Sequence, residues 1–314
     1  MPELPEVETV RQGLNQVTLK QTIQGGEVLL DRTIAHPGSS AGFLAGLQQA
    51  QIRQWHRRGK YLLAELSRPG AGNTPSEEAA GWLGVHLRMT GQLLWMSRGE
   101  PLQKHCRVRL FFAGERELRF VDQRTFGQMW WVPPHCRLEE IMTGLAQLGP
   151  EPFSPAFSVE YLRDRLAHRK RPIKTALLDQ VLVAGVGNIY ADEALFLSRI
   201  QPQTLCCDLL PAQVAQLREA LLRVLQDSIA ARGTTFSDFR DVSGINGNYG
   251  GIAWVYDRQG EKCRICDGVI ERIKLAGRSS HFCPQCQPHW TAPRSAVSGS
   301  MNDSMKKKRK TSLT

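Results

Sequence analysis

The stretch that decides the organisation of this chain is CRICDGVIERIKLAGRSSHFCPQC, Cys263 to Cys286. It holds two CxxC pairs, Cys263/Cys266 and Cys283/Cys286, sixteen residues apart. Two such knuckles can bring four thiolates to the corners of a tetrahedron, the ligand set of a structural zinc. With every corner supplied by protein, no position stays open for water or substrate, so one Zn2+ is expected to hold the fold and not to catalyse. Between the knuckles a small hairpin is expected to display Lys274, Arg278 and His281, cations suited to a phosphate or a groove. The other four cysteines, Cys106, Cys136, Cys206 and Cys207, lie in apolar or loop contexts and read as free thiols.

Downstream, residues 291–314 are polar and Ser-rich and end in KKKRK before the last four residues, which reads as a disordered basic tail. The whole chain carries +10, and the tail's six basic residues and one acid account for half of that. The remainder is modestly basic, in keeping with a polyanionic partner. Upstream, residues 158–240 show helical periodicity, with helices expected over 158–168, 172–183, 188–197 and 211–231. Between the second and third lies AGVGN, whose Gly185 and Gly187 permit a tight turn, so the segment reads as helix, two turns, helix. A Gly-, Asn- and Ser-rich stretch, 234–251, separates the last long helix from the cysteine module, and residues 241–290 are expected to hold the rest of that loop and a zinc ribbon.

EPFSPAF, residues 151–157, carries two prolines and reads as a linker. Before it, residues 1–150 open with a helix, because Leu4, Val7, Val10, Leu14 and Val17 recur at three- and four-residue spacing. They continue with short alternating runs from 21 to 132 that read as strands of a β-sandwich. RPGAGNTPSEEAAG, residues 68–81, reads as an exposed loop. The fold class is therefore α+β and multidomain: a sandwich with an N-terminal helix, a helical domain and a zinc ribbon. No run of 18 apolar residues exists and the start, MPELPEVETV, is acidic where a signal peptide is basic, so the cytosol is expected and no membrane partner.

The start also permits chemistry. Removal of Met1 ahead of Pro2 leaves a secondary amine, and an α-amino group titrates near 7.7–8.0, so a useful fraction is uncharged at neutral pH. Such a nitrogen can attack a sugar C1′ and displace a base. Glu3 beside it can serve as acid and base, and Glu6, one turn on, can steady the helix end and order the amine. In isolation, though, Pro-Glu at a chain start is an ordinary helix entry.

Six blocks in order, MPELPEVETV, RRGKYLL (57–63), HLRMTGQL (86–93), DQRTFG (122–127), GVGNIYADE (185–193) and GRSSHFCPQCQ (277–287), closely resemble the bacterial formamidopyrimidine-DNA glycosylase family. The resemblance runs to about Pro288. It implies an enzyme that excises oxidised purines from DNA and cleaves the strand by β,δ-elimination, with Pro2 as Schiff-base nucleophile and Glu3 as its acid. Lys60 would then assist β-elimination and Arg278 donate the proton for δ-elimination.

Met89, Arg124 and Phe126 match the residues that fill the void left by an extruded base, and Arg124 also contacts the orphaned partner. His105, Arg169, Lys174 and Asn188 match phosphate contacts; Asn188 at a helix start could use free backbone N–H groups to hold an anion, or serve only as a cap. The 234–251 stretch matches a loop that covers the extruded base. Departures are the long 68–81 segment, the basic tail and Ser280 where threonine is commoner. A monomer acting on double-stranded DNA with oxidised bases or abasic sites, in a bacterial cytoplasm and associated with the nucleoid, is expected. The competing readings are an endonuclease VIII-like enzyme for oxidised pyrimidines and a noncatalytic zinc-ribbon damage-binding protein.

Overall fold

A computed structural model describes residues 1–70, 77–234 and 241–289. The chain opens with α1 (Leu4–Val17). Its apolar stripe divides between two cores: Val7, Val10 and Leu14 pack into the sandwich, while Leu4 packs with the helical domain. One helix therefore belongs to both domains, which puts residues 2 and 3 at the joint.

The sandwich is built from β1 (Gly25–Val28), β2 (Ile34–His36), α2 (Ser40–Leu47), β3 (Gln51–Arg58), β4 (Tyr61–Pro69), β5 (Glu77–His86), β6 (Gly91–Ser97), β7 (Cys106–Phe112), β8 (Arg116–Asp122) and β9 (Gln128–Val132). One sheet has the order β1-β7-β8-β6 and the other β2-β9-β5-β4-β3; every pairing is antiparallel except β2 with β9. β7 alternates buried and half-buried residues, the mark of a strand with one face on the core. Trp55, fully buried, donates its indole N–H to Thr18 Oγ1 at 2.9 Å and so ties β3 to the end of α1.

Three expectations are corrected here. The 21–132 region is not all strand: α2 starts at the N-cap Ser39, whose hydroxyl accepts Gly42 N at 3.1 Å, and buries Phe43 and Leu47. Gly42 and Gly46 disguise it as a turn, yet Gly46 is needed because a Cβ there would lie 2.2 Å from the Trp131 ring. In the 68–81 segment, residues 68–69 and 77–81 are ladder: Arg68 pairs Glu78 and Pro69 pairs Glu77, and Ala80 is buried, while residues 71–76 lie outside the described residues. Backbone pairing continues there although the side chains are polar.

The helix expected over 172–183 stops early. α6 covers only Ile173–Leu177, because Asp179 Oδ1 takes Val181 N (3.1 Å) and Gln180 takes Gly185 N (2.9 Å), offering the backbone other partners.

Short turns α3 (Leu138–Ile141) and α4 (Thr143–Ala146) lead to α5 (Val159–Leu166), α6, α7 (Asn188–Leu197) and α8 (Pro211–Ala230). The zinc hairpin is β10 (Glu271–Leu275) and β11 (Arg278–Phe282). Among the described residues no helix is long and apolar enough to cross a membrane. The basic tail and residues 235–240 of the expected covering loop lie outside the described residues.

Candidate active site

Glu3 caps α1 and turns its carboxylate onto the N-terminus of α7, accepting Ile189 N at 3.0 Å and Tyr190 N at 3.5 Å. The two glycines of AGVGN make this approach possible. A Cβ on Gly187 would lie 2.3 Å from Glu3 Cδ; one on Gly185, at φ +87°, would lie 2.8 Å from Leu4 Cβ. Leu4 N also donates to Gly185 O at 3.0 Å. The anion seated on this helix dipole is thus a protein carboxylate, where the sequence suggested a phosphate next to Asn188. Asn188 is half-buried, and its Oδ1 has no hydrogen-bond partner among the described residues.

Behind Glu3, Glu6 is buried and gathers four elements. It accepts Glu3 N (2.8 Å), the Tyr190 hydroxyl (2.5 Å) and Thr234 N (2.9 Å); Tyr190 also shares a 2.6 Å bond with Ser228 on α8. Burial, reinforced by the Glu3 charge, pushes the Glu6 carboxyl up to about 7 against the pull of those donors.

Pro2 is buried with Glu3. At the chain start, burial lowers the basicity of the Met1 amine, and the Glu3 and Glu6 carboxylates oppose that. Lys60, 7% exposed, is likewise held below its ordinary basicity by burial first, with Glu3 opposing and Arg278 adding to it. Glu3, Lys60 and Arg278 therefore share one electrostatic neighbourhood although 275 residues of chain separate the first from the last. The turn carrying Lys60 is set by Glu151, which accepts Gly59 N (2.6 Å) and pairs Arg57 (2.7 Å) and Arg58 (3.1 Å). By its sequence Glu151 belongs to the two-proline linker, which gives no sign of this role. His86 is neutral: burial, then the Arg88 and Lys60 charges, press it to about 3, and its Nδ1 accepts Arg88 N at 3.0 Å.

On the sandwich, Met89 is half-buried, Arg124 exposed and Phe126 53% exposed, with the Arg124 guanidinium 5.1 Å from the Phe126 ring centre. An exposed phenylalanine beside an arginine is the informative kind of exception. His105, half-buried, is bonded at Nδ1 by Arg107 (3.1 Å), and Arg169 pairs Asp179 at 3.5 Å. Arg278 is exposed, with no ion-pair partner among the described residues. Two cations differ from their expected placement. Lys174 is 1% exposed, its ammonium 2.6 Å from Asp192 and donating to Ser279 O at 2.6 Å; burial lowers its basicity and Asp192 opposes that. His281 is also buried, donating its N–H to Asp192 at 3.0 Å instead of pointing outward from the hairpin.

Asp192 thus docks the hairpin on α7, aided by the Ser280 hydroxyl (3.0 Å), and Glu193 beside it accepts Trp254 N, Val255 N and Tyr256 N at 2.7–2.9 Å. Two adjacent acids inside the apolar helix NIYADEALFL were the signal available, since buried charges need partners. In the module they anchor, the ligand sulfurs of Cys263, Cys266, Cys283 and Cys286 all lie within 4.8 Å of one another, with the closest pairs at 3.4 and 3.8 Å. Four thiolates at about 2.3 Å from one zinc would stand about 3.8 Å apart, so the set fits one structural Zn2+.

An amine and an acid at the joint of a sandwich and a helix–two-turns–helix domain, with a zinc finger docked on the same α7 that receives the acid, define a DNA-handling protein of multidomain type. Family models agree along its length: the formamidopyrimidine-DNA glycosylase N-terminal domain matches residues 1–129, its H2TH domain 148–240, and the zinc finger found in FPG and IleRS 260–288. The chain belongs to the formamidopyrimidine-DNA glycosylase family. A Nostoc sp. formamidopyrimidine-DNA glycosylase is 64% identical over 287 residues, covering 91% of this chain and all of that one. Among solved structures, a Lactococcus lactis FPG variant with Fapy-dG DNA superposes with TM-score 0.80 at 33% identity, over 92% of this chain and 100% of that one. The wild-type L. lactis protein with oxidised-pyrimidine DNA gives 0.80 at 32%, with the same coverage.

Proposed function

We propose that this protein excises oxidised purines, 8-oxoguanine and formamidopyrimidines, from double-stranded DNA and then cleaves the strand. The observation that carries it is the burial of Pro2, Glu3 and Lys60 together at the chain start, with Arg278, which has no ion-pair partner among the described residues, acting on the same lysine. After Met1 is removed, the Pro2 nitrogen attacks C1′, the C1′–base bond breaks, and Glu3 protonates the ring oxygen as the sugar opens to an iminium. The iminium acidifies C2′; Lys60 assists loss of that proton and of the 3′ phosphate. Arg278 supplies the proton for loss of the 5′ phosphate. Met89, Arg124 and Phe126 fill the gap in the stack, and His105, Arg169 and the side-chain amide of Asn188, not the α7 backbone N–H groups that Glu3 occupies, hold phosphates. Lys174 reaches the DNA only through the hairpin it braces. The zinc holds that hairpin rigid, and the site of action is the nucleoid.

Borohydride trapping tests the covalent step. A duplex with 8-oxoguanine yields a protein–DNA adduct, which falls in Pro2→Gly and vanishes when extra residues block the start. An adduct that survives the block would make another amine the nucleophile, and none at all would favour a damage-binding protein. The L. lactis complex with oxidised-pyrimidine DNA keeps a second reading, broader substrate range, and faster excision of an oxidised pyrimidine than of 8-oxoguanine would establish it.

A further inference from the structure

Met89 lies in the turn between β5 and β6, Arg124 and Phe126 in the turn between β8 and β9. Each turn holds a non-glycine residue in the left-handed region, Arg88 at φ 52° and Thr125 at φ 58°. That conformation costs about 1–2 kcal/mol per residue and persists only where neighbours enforce it. Asp122, at the end of β8 and 1% exposed, supplies the enforcement. Its Oδ1 accepts the Thr90 hydroxyl at 2.5 Å and its Oδ2 accepts Gly127 N at 2.7 Å. Because the Thr90 proton goes to the carboxylate, a lone pair is left for Arg124 N, which donates to Thr90 Oγ1 at 2.9 Å. The bonds thus run from one turn through the carboxylate to both ends of the other. Gly127 has no room for a side chain, since a Cβ would lie 2.4 Å from Phe120 Cζ and 3.0 Å from Asp122 Oδ2. The backbone of Asp122 meanwhile donates to His105 O and accepts Arg107 Nε, both at 2.9 Å. Among the described residues this buried carboxylate has no ion pair, a costly state offset by the two donors that reach it, the Thr90 hydroxyl and Gly127 N.

We infer that Asp122, acting through Thr90, is a positioning residue that sets the spacing of Met89 from Arg124 and Phe126 and thereby governs extrusion of a lesion base. The inference rests on the assignment of those three side chains to void filling. An asparagine at 122 keeps the shape, but to go on accepting Gly127 N it must aim its N–H at Thr90 Oγ1, which reverses that bond, displaces the Thr90 proton and replaces two charge-assisted ties by weaker neutral ones.

The test compares single-turnover excision of 8-oxoguanine from duplex with incision at a pre-formed abasic site, where no base must leave the stack. In Asp122→Asn and in Thr90→Val, excision falls on the order of 10- to 100-fold, the effect of a displacement of about 1 Å, while abasic incision stays within about threefold. In a Met89→Ala/Phe126→Ala background, adding Asp122→Asn changes excision less than about twofold, because both act through one device. Equal losses on the two substrates, or a full multiplicative loss in that background, would reduce Asp122 to a general support of the fold. If Met89→Ala/Phe126→Ala itself excises normally, the void-filling assignment fails and takes this inference with it. If that variant is impaired and Asp122→Asn is not, only the role of Asp122 falls.

Discussion

Gly187→Ala isolates the joint between the domains in one methyl group. Its backbone, φ −135° and ψ −159°, is one that alanine adopts, so the substitution brings no conformational strain. The new Cβ would lie 2.3 Å from Glu3 Cδ and 2.4 Å from Oε1. Carbon atoms need about 3.5–4.0 Å, so the carboxylate must retreat by about 1 Å or more. Retreat pulls it from Ile189 N and Tyr190 N, both buried donors. Overpacking costs about 1–3 kcal/mol and a deserted donor about 1–3 kcal/mol, so a loss of about 2–6 kcal/mol is expected, seen as a fall of several degrees in Tm. On the role proposed for Glu3, excision should drop on the order of 100-fold, since the acid would be misplaced at the sugar. Single-turnover excision and borohydride adduct yield read the chemistry, and thermal unfolding reads the packing. In Gly187→Ala/Glu3→Ala the clash is gone, so the stability losses add to less than their sum while activity stays low. A Gly187→Ala protein with wild-type Tm and turnover would refute the account of why this turn is glycine.

Two further outcomes follow from buried charges. The Glu6 carboxyl, raised to about 7 from an unfolded value near 4.5, binds a proton in the native state that the unfolded chain has lost, so stability falls as pH rises between those values, by on the order of 3 kcal/mol. Urea midpoints at pH 5 and pH 8 should show that decline in the wild type and a flatter profile in Glu6→Gln; an unchanged slope in the variant would assign it to another group. Asp192→Ala strands the enclosed Lys174 ammonium and should cost about 3–5 kcal/mol, whereas Lys174→Met/Asp192→Leu should recover most of it, as chemical denaturation with a zinc assay would reveal. Failure of the double variant to recover would mean that the hairpin needs the charges themselves.

The elements with a period were legible: α1, α7 and α8 lie within a residue or two of where spacing put them, and the sulfur cluster is where the CxxC pairs required it. What escaped were features decided by a distant partner. Nothing local marks Glu151 as the residue that shapes the Lys60 turn, because its partners lie 92 positions back along the chain. Lys174 and His281 looked like surface cations, and only Asp192, brought up by the third dimension, turns them inward. α2 escaped for the opposite reason: its glycines argue against a helix until Trp131 is seen lying against Gly46. Asp122 and Thr90 stood inside recognisable blocks, yet their bond depends on strand register, which periodicity alone does not supply.

The first helix has one foot in each hydrophobic interior, Leu4 in one and Val7 onward in the other. Neither half of this protein, expressed by itself, would therefore retain a finished reaction centre. A chimera that exchanged the leading half would have to keep Gly185 and Gly187 facing residues 3 and 4, so exchange by recombination must respect a seam that runs through the joint and not beside it.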